Sequence, residues 1–444
     1  MMPETAPLIE AADAVVEHGT AVGADGVEAY VCDEHTLSLA QRRGADPSVS
    51  ESRTRGMGVR VVRDRAVGFA YATLSGPSAA AQAFDRADAA CGAAEAASGT
   101  APVLPAPEDA SGTVGDAGLW EPGVQEWSAA AARERLAELA AAAEAPGEAT
   151  VLRCQYGVEL KAVAVANSRG VRAAYRSGLH FLWAEVGDGS TSTTASCWSR
   201  TPRYLRADAA GADAATRIAL DADASPPPGG VPVVFAPAAA ARIIGRLAGP
   251  LSAGDARGRG RPGARVTAPA ISVADDATIP GALASAPADG EGLPARRAEL
   301  VEHGLRARSL DAPGVGRGHA RRSGYRAVPR PGPSNLFVRP GRATLPELLA
   351  HLHDGVLVTE VGGLLAADPR SPRIALTVRG RRVIGGAPAH PVAGPLTSGS
   401  LWKVLHNVRA VGADLEFWPG AGVNAGSPSL LVEGAAFPGK EGKP

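Results

Sequence analysis

Cysteine is scarce: four residues in 444, at Cys32, Cys91, Cys154 and Cys197, with no C-x-x-C pair among them. That spacing supplies neither a disulfide framework nor a thiolate metal knuckle, so free and mostly buried thiols in a reducing compartment are expected. Aromatic residues make up only 4% of the chain. The core must then be filled by Val, Leu, Ile and Ala, and each ring that is present carries unusual packing weight. Neither sign of charge is in excess, with 45 Lys+Arg against 46 Asp+Glu and a formal net charge of -1. That balance lacks the positive field on which sequence-independent nucleic-acid binding relies, so no nucleic-acid partner is expected. No stretch approaches the roughly 20 consecutive apolar residues of a bilayer span, so no membrane partner is expected either. The opening Met1-Met2-Pro3-Glu4-Thr5-Ala6-Pro7 has no basic segment with an apolar run behind it, and a soluble, cytoplasmic protein is the expectation. A G-x-S-x-G elbow and a Walker loop are missing too: the Gly/Arg-rich Gly254–Gly263 lacks the Lys-Ser/Thr ending that a phosphate loop needs.

What is present suffices for two cores. An Ala/Ile/Val-rich opening helix is expected over Ala6–Val22. Strands follow at Val27–Cys32 and Thr36–Gln41, joined by an expected hairpin turn at Asp33-Glu34-His35, and then at Gly58–Val62 and Ala66–Thr73. Ser78–Ala97 reads as a helix with Phe84, Ala87 and Cys91 on one face, and Ser128 as the N-cap of a second, Ala129–Ala145, stopped by Pro146-Gly147. A β-meander turns at Asn167-Ser168-Arg169-Gly170, residue types suited to a tight turn with one positive φ. Another Ala-rich helix covers Ala207–Asp221. Three prolines and two glycines in Ser225–Gly230 cannot continue it, so a linker over residues 225–230 is expected to separate an N-terminal α+β domain, 1–224, from a strand-rich domain, 231–444. Beyond it come the apolar strand Pro232–Phe235 and a helical stretch at Ala238–Leu251. Two short helices open at Thr344-Leu345-Pro346-Glu347 and near Ser400. The expected fold class is α+β, with helices packed on a curved antiparallel sheet in the first domain.

Several segments, taken in order, resemble the TldD/PmbA metallopeptidase family. They are Gly56-Met57-Gly58-Val59-Arg60-Val61 with Val67-Gly68-Phe69-Ala70, the turn Asn167–Gly170, Val233-Val234-Phe235-Ala236-Pro237, Ala288-Asp289-Gly290-Glu291-Gly292, Ser334-Asn335-Leu336 and Val411-Gly412-Ala413-Asp414-Leu415. Members of the TldD type carry H-E-x-x-x-H shortly after the strand that ends in V-V-L/F. Two imidazoles there bind zinc, and the carboxylate takes a proton from the zinc-bound water. Anchored on Val233–Pro237, those six positions fall here on Gly245-Arg246-Leu247-Ala248-Gly249-Pro250. Gly245 and Pro250 stand where the imidazoles would be, and neither has a side chain able to coordinate. Arg246 replaces the carboxylate with a cation, expected to sit beside the ion's position, while Gly249 survives. The resemblance implies a TldE/PmbA-type subunit with no catalytic or metal residues of its own. It also implies a zinc-bearing TldD-like partner in a heterodimer (or a homodimer of this chain), a shared chamber, and small or unfolded peptides as substrate. Asp289, Glu291, His319 and Asn335 are the candidate chamber or peptide contacts. The alternative is a homodimeric module that binds a peptide or peptidic metabolite in a biosynthetic pathway without cleaving it.

Other constellations read more plainly. His351 and His353 lie two apart, about 200° around a helix, and cannot share a metal without unwinding it. Asp33-Glu34-His35 contains ligand types at an expected turn, and His303 could reach an internal cavity but reads as structural. Asp275-Asp276 and Asp289–Gly292 read as acidic turns as readily as binding loops. The arginines Arg296, Arg297, Arg306, Arg308, Arg317, Arg321, Arg322, Arg326 and Arg330 crowd one region; without interleaved aromatics they read as a solvated face rather than a nucleic-acid or acidic-peptide surface.

Overall fold

A computed structural model describes residues 3–74, 78–93, 103–109, 115, 117–147, 149–189, 191–219, 229–252, 261–310, 318–362, 374–398, 401–420 and 423–437. The N-terminal half runs α1 (Ala6–Ala21), β1 (Gly26–Arg42), β2 (Ser48–Arg63), β3 (Ala66–Thr73), α2 (Ala79–Ala93), α3 (Ala129–Glu144), β4 (Thr150–Asn167), β5 (Arg172–Gly187), β6 (Ser192–Ser199) and α4 (Ala207–Ile218). Its strands form one antiparallel sheet in the order β3-β2-β1-β4-β5-β6. Helix α1 turns Leu8, Ile9, Ala12 and Val15 inward, the spacing of a single helical face. With Phe84, Ala87 and Cys91 of α2 they cover Val27, Val59 and Ala164 of the sheet. A second cluster packs Leu136 and Leu139 of α3 and Ala214 and Ile218 of α4 over Tyr156 and Leu182. The caps are those the sequence predicts: Ser128 Oγ accepts from Ala131 N at 3.1 Å. Asn167 Oδ1 closes its turn by accepting from Arg169 N and Val171 N at 2.9 and 3.1 Å.

One expectation is corrected. Asp33-Glu34-His35 is not a turn, because β1 passes straight through it. Polar residues persist mid-strand because neighbouring strands bring counter-charges. Arg53 holds Asp33 with bonds of 3.0 and 2.7 Å, Lys161 holds Glu34, and His35 meets Glu51 at 2.8 Å.

The C-terminal half runs β7 (Gly229–Phe235), α5 (Pro237–Arg246), α6 (Ala248–Ser252), β8 (Val273–Asp276), β9 (Arg297–Glu302), β10 (Leu305–Arg306), β11 (Ala320–Arg321), β12 (Arg330–Pro331) and β13 (Asn335–Val338). It continues with α7 (Leu345–Leu352), β14 (Gly355–Gly362), β15 (Ile374–Ile384), β16 (Ala387–Ser398), α8 (Leu401–His406), β17 (Val408–Val411), β18 (Glu416–Gly420), β19 (Val423–Ser427) and β20 (Leu430–Phe437). Two six-stranded sheets result, ordered β10-β9-β8-β13-β19-β18 and β16-β15-β14-β7-β20-β17, with a two-stranded ladder of β11 and β12 beside them. One apolar cluster joins both large sheets, including Val233 and Phe235 of β7, Ile243 and Ile244 of α5, and Leu336 and Ala425 of β13 and β19. Residues 225–228 of the expected 225–230 linker lie outside the described residues. Gly229 and Gly230 already belong to β7, where they pair with Phe437 and Ala436. Most of the Gly254–Gly263 loop also lies outside them. At α7, Thr344 and Glu347 form the expected capping box, and His353 ends the helix at φ 53°. No described helix is long and apolar enough to cross a membrane.

All four cysteines are free, and Cys32, Cys91 and Cys154 are buried. Burial pushes the Cys32 thiol up to about 11 and the Cys197 thiol up to about 12. Thiolate, the reactive form, is thereby suppressed at neutral pH. A thiol-reagent titration at pH 7.5 should count no fast-reacting cysteine in the native protein and four after denaturation. Rapid labelling of Cys32 or Cys197 in the folded protein would contradict this.

Candidate functional site

The residues aligned with the zinc motif lie at the C-terminal end of α5 and in α6. Ala236 is extended and Pro237 occupies the first turn, where its fixed φ starts the helix without costing a hydrogen bond. Ala239, Ala240, Ile243 and Ile244 are fully buried. The helix breaks at Leu247, whose N–H reaches Ile243 O and Ile244 O at 3.3 and 3.0 Å, so α6 restarts in the middle of the six-residue window. A Cβ on Gly245 would lie 3.3 Å from the Ala425 methyl and 3.9 Å from Val423 Cγ1. The ground that an imidazole at position 245 would need is thus lined by apolar β19. Arg246 is exposed at the C-terminal end of α5. A second, buried cation at this segment is Arg306 of β10, only 1% exposed, donating to Pro250 O at 2.8 Å and to Leu251 O. It neutralises the carbonyl end of α6, the pole that favours positive charge. Glycine, arginine and proline are no zinc donor set, so the window does not fit the ion. Among the described residues no group of three His, Cys, Asp or Glu could hold a metal.

The N-terminal half meets α5 through a knot of charge. Glu360 of β14 lies 3.9 Å from Arg217 of α4, 3.9 Å from Arg242 of α5 and 3.5 Å from Arg379 of β15, and accepts from Thr193 Oγ1 at 3.2 Å. Arg217 also holds Asp213 at 3.0 Å, and Arg242 donates to Val361 O at 3.0 Å. Burial draws the Arg242 guanidinium below its usual range, with Glu360 pulling the other way. A cavity of about 90 Å³ remains between Arg217, Arg242, Glu360 and Trp418.

The candidate contacts Asp289 and Glu291 sit at a second joint. Asp289 is 2% exposed, and its carboxylate accepts four amides: Glu291 N at 2.9 Å, Leu293 N at 3.0 Å, Gly318 N at 2.8 Å and Ala320 N at 3.2 Å. Burial pushes it up to about 6, with the amide donors opposing. Glu291 pairs with Arg60 Nη2 at 2.6 Å, and the same nitrogen meets Glu28 at 2.7 Å. Arg322 completes the set: it holds Glu28, donates from Nε to Gly290 O at 2.6 Å and lies over the Tyr30 ring at 4.9 Å. Tyr325, three residues on, lies against β2. A Cβ on Gly56 would meet its ring at 2.3 Å, and one on Gly58 its carbonyl oxygen at 2.2 Å. The glycines of the Gly56-Met57-Gly58 motif are there for this close approach.

The other two candidates are bound within the C-terminal half. His319, 2% exposed, places Nδ1 3.5 Å from Asp275 Oδ2 without a hydrogen bond. Asp275 Oδ1 accepts from Ser334 N at 2.6 Å. Asn335 donates to Asp276 O at 2.7 Å and Ser285 Oγ at 2.9 Å, and accepts from Asn424 Nδ2 at 2.8 Å. The structure thus brings Asp289 and Glu291 together at one joint and His319 and Asn335 at the β8–β13 core. Of the remaining histidines, His303 occupies the turn after β9 with φ 46°, and His351 Nδ1 meets Glu347 O at 3.0 Å. Sequence reasoning missed Glu28, Arg217, Arg242 and Glu360, whose partners come from distant strands. The paired glycines in β2 were the one local signal.

Two domains described as parts of the PmbA/TldA metallopeptidase match in chain order: domain 1 over residues 27–97 and the C-terminal domain over residues 228–439. A metalloprotease TldD homolog of Buchnera aphidicola is 24% identical over 196 residues, covering 40% of each chain. One from Haemophilus influenzae is 25% identical over 193 residues, 39% of this chain and 40% of the relative. The chain therefore spans less than half the length of these relatives. Among solved structures, a Thermotoga maritima protein described as a candidate modulator of a DNA gyrase has TM-score 0.82 at 21% identity, over 96% of this chain and 99% of its own. TldE from Thermococcus kodakarensis has TM-score 0.82 at 19% identity, over 97% and 100%. The fold is shared with these two from end to end, and with both family domains matched in order the chain belongs to the PmbA/TldD metallopeptidase family.

Proposed function

We propose that this chain is the zinc-less, TldE-like subunit of a two-chain peptidase, acting in the cytoplasm on small or unfolded peptides. In this reading a TldD-like partner supplies the metal, and this chain closes the chamber and governs peptide access. The division into units 1–224 and 231–444, joined at 225–230, is part of the same proposal. The observation that carries it is the window Gly245–Pro250: both ligand positions lack a donor atom, and Ala425 and Val423 line the ground beside Gly245. The family supplies the chemistry and the site withholds its metal, a combination suited to a supporting subunit. The two joints, around Glu360 and around Glu28, tie the C-terminal half to the N-terminal half, the first of them through α5, and favour a rigid wall.

The test has two arms. Elemental analysis of the isolated chain should find far less than one zinc per chain, with no cleavage of a fluorogenic peptide. Mixing with a TldD-like protein bearing an intact H-E-x-x-x-H should give cleavage dependent on both proteins. One tightly held zinc per isolated chain, with matching hydrolysis, would sink the proposal.

A further inference from the structure

The arginine-rich stretch is not an evenly solvated face. Its β11–β12 ladder sets Arg321 directly opposite Arg330. Like charges in register across two strands repel, so the arrangement is unfavourable without an anion between them. Both residues line a cleft of about 460 Å³ with Arg326, Phe69, Val328 and Ser323, and among the described residues no carboxylate lines it. None of the three arginines forms an ion pair with a described residue, although neighbouring Arg322 and Arg297 both do. Arg321 Nε and Nη2 are buried with no hydrogen-bond partner among the described residues. Buried guanidinium N–H groups left unbonded are costly, and an acceptor entering the cleft would remove that cost. Arg326 is held in place by its bond to Tyr325 Oη at 3.1 Å and by the Tyr71 ring, 5.7 Å from its guanidinium carbon.

We propose that this cleft receives the carboxylates of an acidic peptide, an Asp or Glu side chain or a C-terminus seated between Arg321 and Arg330. The planar guanidinium fork matches a carboxylate in two parallel bonds. Phe69 and Val328 offer the apolar wall for the peptide's methylenes. A nucleic acid is the poorer fit, since one ring gives no stacking ladder and the chain's net charge is -1. The inference rests on the peptide-handling role proposed above and names its substrate class.

Binding is measured on the isolated full chain by calorimetry, so it does not depend on a partner or on cleavage. The probes are triglutamate, C-terminally amidated triglycine and trilysine, inorganic phosphate and a short single-stranded RNA. Triglutamate should bind, weaken as salt rises, and lose about tenfold or more in affinity in Arg330→Glu and in Arg321→Gln. Triglycine amide and trilysine amide, which carry no carboxylate, should not compete. Arg330 is exposed, so Arg330→Glu keeps the test valid if Arg321→Gln fails to fold. Triglutamate affinity unchanged in Arg330→Glu would overturn the proposal. So would phosphate binding as tightly as triglutamate, which marks a simple anion site, or RNA binding more tightly than either. If triglutamate binds as expected but no partner-dependent cleavage is found, the peptidase reading falls and the cleft stands.

Discussion

Glu28→Ala should lower stability by about 3–5 kcal/mol, the range seen when one partner of a buried ion pair is removed. Glu28 is 1% exposed on β1 and is shared by Arg60 and Arg322, from opposite halves of the chain. Without it, Arg322 is left as a buried cation with no carboxylate, and Arg60 keeps only Glu291. The loss should centre on the joint: the segments around Asp289–Glu291 and Arg322–Tyr325 should become protease-sensitive before the β1–β4 pairing fails. Denaturant unfolding together with limited proteolysis reads both effects. The double variant Glu28→Leu/Arg322→Leu should recover much of the loss, because the penalty comes from an unmatched charge rather than from missing contact. A loss under about 1 kcal/mol for Glu28→Ala would mean that the pair is solvated and holds nothing.

Asp289→Asn should be nearly as damaging, although it changes no volume. All four amides that Asp289 accepts point at carboxylate oxygens, two on each. An asparagine turns one of those oxygens into an NH2 group facing two N–H donors, leaving two buried amides unbonded at about 1–3 kcal/mol each. It also unhooks the strand that leads into Arg321 and Arg322 from the Gly290 loop, so the Arg60–Glu291 pair should loosen with it. Hydrogen exchange is the sharpest readout: protection should fall together at one pair, either Glu291 and Leu293 or Gly318 and Ala320. Unchanged protection at these amides would show that the loop is held by something other than the carboxylate.

Much of this architecture was legible in the residues, and what was not has a physical reason. Helical faces such as Leu8–Val15 and Phe84–Cys91 are periodic, and Ser128 and Thr344 announce helix starts, because such signals lie within a few residues of their effect. Asp33-Glu34-His35 misled because a polar trio resembles a turn until Arg53, Lys161 and Glu51 arrive from adjacent strands. The candidate window is located from the anchor strand Val233–Phe235, but the buried Arg306 that binds the end of α6 is not legible there. Which arginine reaches the end of α6 depends on where β10 lies in the sheet, a non-local fact. Asp289 and Glu291 were singled out as acidic residues between glycines. That their partners are backbone amides and Arg60 could not be read from their own neighbourhood.

Within the α5–α6 segment, anchoring and chemistry fall to different residues. Ile243, Ile244, Leu247 and Leu251 are submerged, whereas Arg246 and Gly249 face solvent and Gly245 and Pro250 are half-covered. The scaffold draws its cohesion from residues between and beside those that would grip an ion. Such a helix can forfeit a metal without losing its seat between two sheets. Packing and the aligned ligand positions are therefore carried by different side chains of the same ten-residue helix and its short continuation.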